Sequence, residues 1–171
     1  KAHQKGFYRL VTMFGLLMQR HPTLHLVILG MDEALCHGVD QQFELRQLLP
    51  QASRRLHFPG RVGNVQDWYE RAELFLLPSR YEGFPNVLLE AMASGCCCVS
   101  SDCPQGPSEL IRDGSNGRLL PNDANPETWA EAVSMLLADP GQRQRLANQA
   151  RAVRQRFSEE RLRRCFMCVA T

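Results

Sequence analysis

The feature that most restricts what this chain can become is an alternation of short apolar strands with amphipathic helical stretches, repeated along its length. Phe7, Leu10, Val11, Phe14, Leu17 and Met18 recur at helical spacing, so a helix is expected over residues 6–20, ended by His21-Pro22. The run Leu24-His25-Leu26-Val27-Ile28-Leu29-Gly30 follows as a strand. It is so nearly continuous in apolar residues that both of its faces must be covered. The pattern then repeats, with helices expected over 38–49, 65–71, 85–93, 106–111, 126–137, 141–157 and from 158 onward. Strands are expected over 55–58, 74–77, 96–100 and 117–120. Strands that alternate with helices in this way imply α/β architecture: a Rossmann-like parallel sheet with helices on both faces. With 171 residues, the chain has room for one such domain.

Composition narrows the classes of function. The longest apolar runs, such as Cys96-Cys97-Cys98-Val99, are far shorter than the roughly 20 residues a membrane span needs. A net charge of +2 makes no electrostatic case for nucleic acid. Eight arginines between Arg143 and Arg164, against only Glu159 and Glu160, read as a solvated helical face; peripheral attraction to an anionic membrane is the minority reading. Three of the seven cysteines are consecutive, and neighbours on a strand point to opposite faces, so a disulfide framework is not expected and a reducing cytoplasm is. The Cys165-x-x-Cys168 pair has no second ligand pair nearby and is read as structural. The five histidines show no zinc-like spacing and no D-x-D occurs, so no metal and no cofactor is expected.

In an open parallel sheet, ligands collect beyond the carboxyl ends of the strands. The loop Pro78-Ser79-Arg80-Tyr81-Glu82-Gly83-Phe84-Pro85-Asn86 leaves one strand and enters a helix that carries a second carboxylate, Glu90. Gly83 allows a close backbone approach, Pro85 suits a helix start, and the amides of Asn86, Val87 and Leu88 are expected to point free into the crevice. A helix N-terminus attracts phosphate, and a carboxylate inside the helix can accept hydrogen bonds from ribose hydroxyls. Together they describe a nucleotide site. On spacing alone, two acids that merely lie near a helix start remain an equal alternative.

The run from Glu82 to Gly95, EGFPNVLLEAMASG, resembles the E-x7-E signature of the retaining family 4 glycosyltransferases, the glycosyl transferases group 1. Lys5-Gly6-Phe7, the strand ending in Gly30, His57-Phe58-Pro59-Gly60, the run from Ala72 to Ser79, Ser101-Asp102-Cys103-Pro104 and the loop Asp113-Gly114-Ser115-Asn116-Gly117 resemble that family's blocks in the same order.

The resemblance implies one half of a GT-B fold: a C-terminal domain that holds a nucleotide-sugar donor, normally preceded by an N-terminal acceptor domain that this chain lacks. It implies that Glu90 binds the donor ribose, that Glu82 lies near the transferred sugar, and that the amides of Phe84, Asn86 and Val87 cradle the diphosphate and sugar. Lys5 matches the lysine of the family's basic pair, and the arginine would fall before Lys1. Fixed cations of this kind stabilise a leaving diphosphate without a metal. The base is expected near the loop containing Arg61 and Val62, with uridine favoured by analogy. Met31-Asp32-Glu33 departs from the family's glycine-rich continuation. The implied partners are a nucleotide sugar, the protein's own N-terminal domain and a glycan or lipid-linked acceptor, in polysaccharide or lipopolysaccharide biosynthesis in the cytoplasm or at the inner face of its membrane. A non-catalytic nucleotide-binding module is the alternative, and a GT-B epimerase ranks last.

Overall fold

The computed structural model of the protein describes residues 4–30 and 54–157. The helices expected over 38–49 and from 158 onward, the Met31-Asp32-Glu33 segment, the Cys165/Cys168 pair and the last three arginines of the basic run lie outside the described residues. In chain order the elements are α1 (Phe7–Arg20), β1 (Leu26–Leu29), β2 (Leu56–Gly60), α2 (Val65–Arg71), β3 (Phe75–Leu77), α3 (Asn86–Ser94), β4 (Cys98–Asp102), α4 (Pro107–Leu110), β5 (Arg118–Pro121), α5 (Pro126–Ala138), α6 (Pro140–Ala150) and α7 (Val153–Arg156). Every strand pair is parallel, as expected of α/β alternation. The strands form two groups, β1-β2 and β3-β4-β5.

Helix α1 packs against both groups because its apolar stripe is wide. Phe7 and Val11 cluster with Ile28 of β1, while Met13 and Leu17 join Cys97, Val99, Trp129 and Leu136 in the largest core. A second core, built from Leu88, Ala91, Met92, Cys96, Cys98 and Leu110, lies between α3 and the other face of the three-stranded sheet. Cys97 and Val99 therefore face one core and Cys96 and Cys98 the other, the alternation expected of a strand covered on both sides. All four described cysteines are buried free thiols.

Three expectations need correction. Strand β4 begins at Cys98, not Cys96, because α3 ends in a paired stop. The Gly95 amide bonds Met92 O at 3.0 Å, the Cys96 amide bonds Ala91 O at 3.0 Å, and Gly95 takes a left-handed φ of 80°. This is the Schellman arrangement, and it uses the amide that would have opened the strand. The helix expected over 141–157 is divided near Arg151, where Ala152, Arg154 and Gln155 bond three residues back instead of four. The tighter turn brings Ala150 and Val153 into the same core. Finally, β1 is shorter than expected and Val27 is 37% exposed, so this strand is not covered on both faces; its ladder with β2 also slips between Val27 and Leu29.

Within the arginine-rich run, Arg145, Arg151, Arg154 and Arg156 are exposed, as a solvated face requires, and Arg143 is the exception among the described residues. Arg143 donates to Leu136 O and Leu137 O at 2.6 and 2.7 Å and pairs with Glu73 at 2.8 Å, so it caps the end of α5. Arg156 donates to Glu109 O at 2.9 Å and lies over the Phe157 ring. No helix among the described residues is long and apolar enough to cross a membrane.

Candidate functional site

The carboxyl ends of β3, β4 and β5 open onto one edge, and the loop over residues 78–85 lies there. Its conformation is set by neighbours distant in sequence. Gly6, at φ 68°, packs directly against the Pro78 carbonyl, so any side chain at position 6 would occupy that oxygen's place. Gly106, at φ 107°, does the same against Pro85 and the Gly83 carbonyl. Its neighbour Gln105 is held at φ 66°, a left-handed conformation that costs a non-glycine residue about 1–2 kcal/mol. Ser101, buried on β4, donates its hydroxyl to Ser79 O. The Arg80 amide donates to Gln4 O at 2.8 Å.

This packing brings together residues far apart in the chain. Lys5 Nζ lies 2.7 Å from Glu82 Oε1 across a sequence separation of 77 residues, with the Glu82 side chain 9% exposed and that of Lys5 53%. Lys5 thus neutralises a carboxylate that the loop has largely withdrawn from water. Cys103 lies behind the same carboxylate, fully buried. Burial and then the Glu82 charge push its thiol above the ordinary range.

The start of α3 differs from expectation. Pro85, at φ −82° and ψ 77°, is the centre of an inverse γ-turn in which the Asn86 amide donates to Phe84 O at 3.0 Å. The Leu88 amide donates to Pro85 O at 2.9 Å. Of the three amides expected to be free, those of Asn86 and Leu88 are therefore engaged, whereas Val87 N–H has no acceptor among the described residues. Phe84 and Val87 are exposed, and a side chain at Gly83 would meet nothing within 4 Å, so the backbone there is open to a ligand.

Glu90 lies on the exposed face of α3, one turn beyond Val87. It stands near the buried Tyr69 of α2, whose phenol is pushed up to about 12 by burial and then by the Glu90 charge. Arg61 and Val62 lie in the loop after β2, the first exposed and the second half-buried. Gly60, at the end of β2, accepts from Gly30 N at 2.8 Å, which sets the two loops of that sheet side by side. The structure thus joins Lys5 to Glu82, and no hydrogen bond or ion pair links Arg61 to that pair among the described residues.

Sequence reasoning missed the supports of this site: Arg9, Asn122, Gly106 and Ser101. Arg9 is 5% exposed although the other long polar side chains of its helix, Gln19 and Arg20, are exposed. Positive φ is invisible in a sequence, but Gln105-Gly106 immediately before a proline was a turn signal that could have pointed to the second glycine.

Residues 1–139 match the family model described as glycosyl transferases group 1. The chain is 32% identical over 164 residues to the lipopolysaccharide core biosynthesis mannosyltransferase LpcC of Rhizobium leguminosarum bv. viciae, covering 93% of this chain and 45% of that protein. Among solved structures, the C-terminal domain of a glycosyl transferase group 1 family protein (LpcC) from Francisella tularensis superposes with a TM-score of 0.77 at 24% identity, over 89% of this chain and 78% of that one. HepE of Anabaena, solved in complex with UDP-glucose, superposes with a TM-score of 0.76 at 26% identity, over 90% of this chain and 42% of that one. The chain spans less than half the length of the curated relatives it matches. Its fold is that of the Rossmann-like GT-B glycosyltransferase domains, and with most of its length inside the family model the chain belongs to the glycosyl transferases group 1.

Proposed function

We propose that this chain is the C-terminal, donor-binding domain of a retaining glycosyltransferase of family 4. In this reading it binds a nucleotide diphosphate sugar, with uridine as the base, for transfer to a glycan or lipid-linked acceptor in polysaccharide or lipopolysaccharide biosynthesis. The observation that carries the proposal is the Lys5–Glu82 pair at 2.7 Å, set beside the open backbone of Gly83–Phe84 and the unengaged amide of Val87. A cation, an amide at a helix N-terminus and the positive end of the helix dipole form one surface for a diphosphate.

Lys5 is half exposed, so it can turn from Glu82 towards a phosphate oxygen without leaving its segment. Glu82, released from its partner, then faces the hydroxyls of the sugar. Glu90, further along α3, is the acceptor for the ribose hydroxyls, and the loop of Arg61 and Val62 is the place for the base. Support for the assignment to a C-terminal half comes from the Francisella domain, and support for a UDP-sugar from HepE. The acceptor is held by an N-terminal domain, so the donor domain alone binds nucleotide and does not transfer sugar.

The test is a calorimetric titration of the protein with UDP, GDP, ADP and TDP, repeated with Glu90→Ala. UDP is expected to bind selectively, and the variant to lose about 1.5–3 kcal/mol, the worth of hydrogen bonds to a charged group. 2′-Deoxy-UDP binding as tightly as UDP to the unsubstituted protein would remove Glu90 from the ribose.

A further inference from the structure

We propose that Arg9 is a positioning residue for the donor loop, a buried guanidinium that fixes the strand-end segments on which Glu82 and Lys5 depend; the inference rests on the donor-site reading given above. Its Nη1 donates to Pro78 O at 3.3 Å and its Nη2 to Asn122 O at 2.6 Å, so one planar fork ties α1 to the loops after β3 and after β5. Asn122 passes the tie onward, donating from Nδ2 to Arg80 O at 3.2 Å. Gln4 completes the ring from the segment that carries Lys5, accepting from Arg80 N at 2.8 Å and donating to Tyr81 O at 3.4 Å. Pro78, Arg80 and Tyr81 are thus all held from outside the loop, and the next residue is Glu82.

An arginine is a costly choice here. Its head is buried with its Cζ 5.9 Å from the centre of the Trp129 ring. Burial and then the Arg80 charge draw its pKa below the ordinary value, with Asp123 opposing them. Taking a guanidinium out of water costs free energy, and what offsets it here is the pair of carbonyls it satisfies. What an apolar side chain cannot do is donate to two carbonyls in a fixed geometry. The surroundings are polar beyond what the guanidinium satisfies: Thr12 Oγ1, Ser79 Oγ, Asn122 Oδ1 and Trp129 Nε1 are all buried without a protein partner among the described residues. The hydrogen bonds of Arg9 go to Pro78 and Asn122 and not to Gly83, Phe84 or Val87, so its effect on a ligand passes through the loop.

The test compares Arg9→Met and Arg9→Lys with Arg143→Met in the full-length protein. Arg143 is also an arginine bonded to two carbonyls, but at the end of α5, away from the loop. Two readouts are taken at a temperature where each variant is folded: UDP affinity by calorimetry, and amide hydrogen exchange over residues 78–87 in the unliganded protein. Arg9→Met is expected to weaken UDP roughly tenfold and to speed exchange in the loop, with Arg9→Lys recovering part of both; Arg143→Met is expected to lower the melting temperature and leave both unchanged. Should Arg9→Met fail to fold, Arg9→Lys and Asn122→Ala carry the comparison. Unchanged UDP affinity and unchanged loop exchange in the Arg9 variants would overturn the proposal, as would an equal loss in Arg143→Met. Faster loop exchange in a protein that binds no nucleoside diphosphate would leave the brace standing and remove the donor-site reading.

Discussion

The three-stranded sheet and the two-stranded sheet are built to different tolerances. In β4, Cys98, Val99, Ser100 and Ser101 are all completely withdrawn from water, and each neighbour in register on β3 and β5 follows without a slip. In β1 and β2, Val27 and His57 face each other in register and are both exposed, and the ladder shifts one pair later. The loop that carries Glu82 leaves the first sheet, while the loop of Arg61 and Val62 leaves the second. Under the proposed function this places the phosphate and sugar on the stiff side and the base on the loose one. The division makes chemical sense. Stabilising charge that develops on a leaving diphosphate demands groups fixed in advance, whereas a flat base edge met by main-chain groups tolerates small displacements.

The sharpest way to break this comparison is to disturb the two glycines that wall the stiff loop. Gly6→Ala and Gly106→Ala each place a Cβ in a left-handed or extreme conformation and against backbone oxygen that cannot retreat. Each is expected to cost about 4 kcal/mol, at the upper end of single substitutions, and to abolish nucleotide binding in whatever remains folded. Gly63→Ala, in the loop after β2, meets nothing within 4 Å and has no positive φ, so its stability should stay within about 0.5 kcal/mol of the parent. Denaturant unfolding of the three variants decides the matter. Equal losses at positions 6 and 63 would mean that the two sides do not differ.

How far the sequence reaches is also divided along these lines. The helices at Val65–Arg71 and Pro126–Ala138, the parallel alternation and the opposed faces of the three consecutive cysteines follow from local patterns, since apolar spacing and turn residues report directly on them. The family's blocks named Lys5 and Glu82 together, and the structure pairs them. Arg9 was not legible in this way. In a helix pattern it reads as one more polar residue, and its two carbonyl partners lie 69 and 113 residues away, where no periodicity connects them. The engaged amides of Asn86 and Leu88 were misjudged for a related reason: a proline before a helix signals the start, but not the γ-turn that spends the first amide. Likewise, nothing local distinguishes an arginine on a solvated face from Arg143, whose partners belong to the end of a different helix.

A second, smaller effect follows from the thiols that thread the stiff sheet. Burial pushes Cys96 up to about 12 and Cys97 up to about 11, against 9.0 for an unperturbed thiol, and holds Cys98 well above its ordinary value. A group whose folded pKa is raised contributes stability that is intact below the unfolded pKa and is lost as pH climbs towards the folded one. The folded state keeps its protons while the unfolded chain releases them, so stability must fall between about pH 9 and about pH 11. One unit of that window is worth about 1.4 kcal/mol per thiol, or roughly 3 kcal/mol at pH 10 for three adjacent thiols that partly suppress one another's ionisation. Replacing all three with alanine should flatten the slope of unfolding free energy against pH over this window. A slope unchanged by the replacement would assign the alkaline loss elsewhere, with Tyr69 the next group to examine.

The smallest effect tests the comparison at a single pair of methyl groups. Val99 is the second residue of β4 and has no exposure, packed in the core that Trp129, Leu136 and Met13 share, while Val27 is the second residue of β1 and is 37% exposed. Both are valines in parallel strands, so the change in intrinsic strand preference on going to alanine is nearly the same for each, and the difference between them reports packing. Val99→Ala removes two buried methyls from a site closed on both faces, where neighbours tethered in two cores have little freedom to collapse into the gap, and should cost about 2 kcal/mol. Val27→Ala should cost under about 0.5 kcal/mol, since its methyls already meet water. Chemical denaturation resolves a gap of that size, and an unchanged m-value in both variants would show that neither alters the unfolded chain. If the two losses came out alike, β1 would be as tightly held as β4, and the loop after β2 would then have to be counted among the fixed parts of the site.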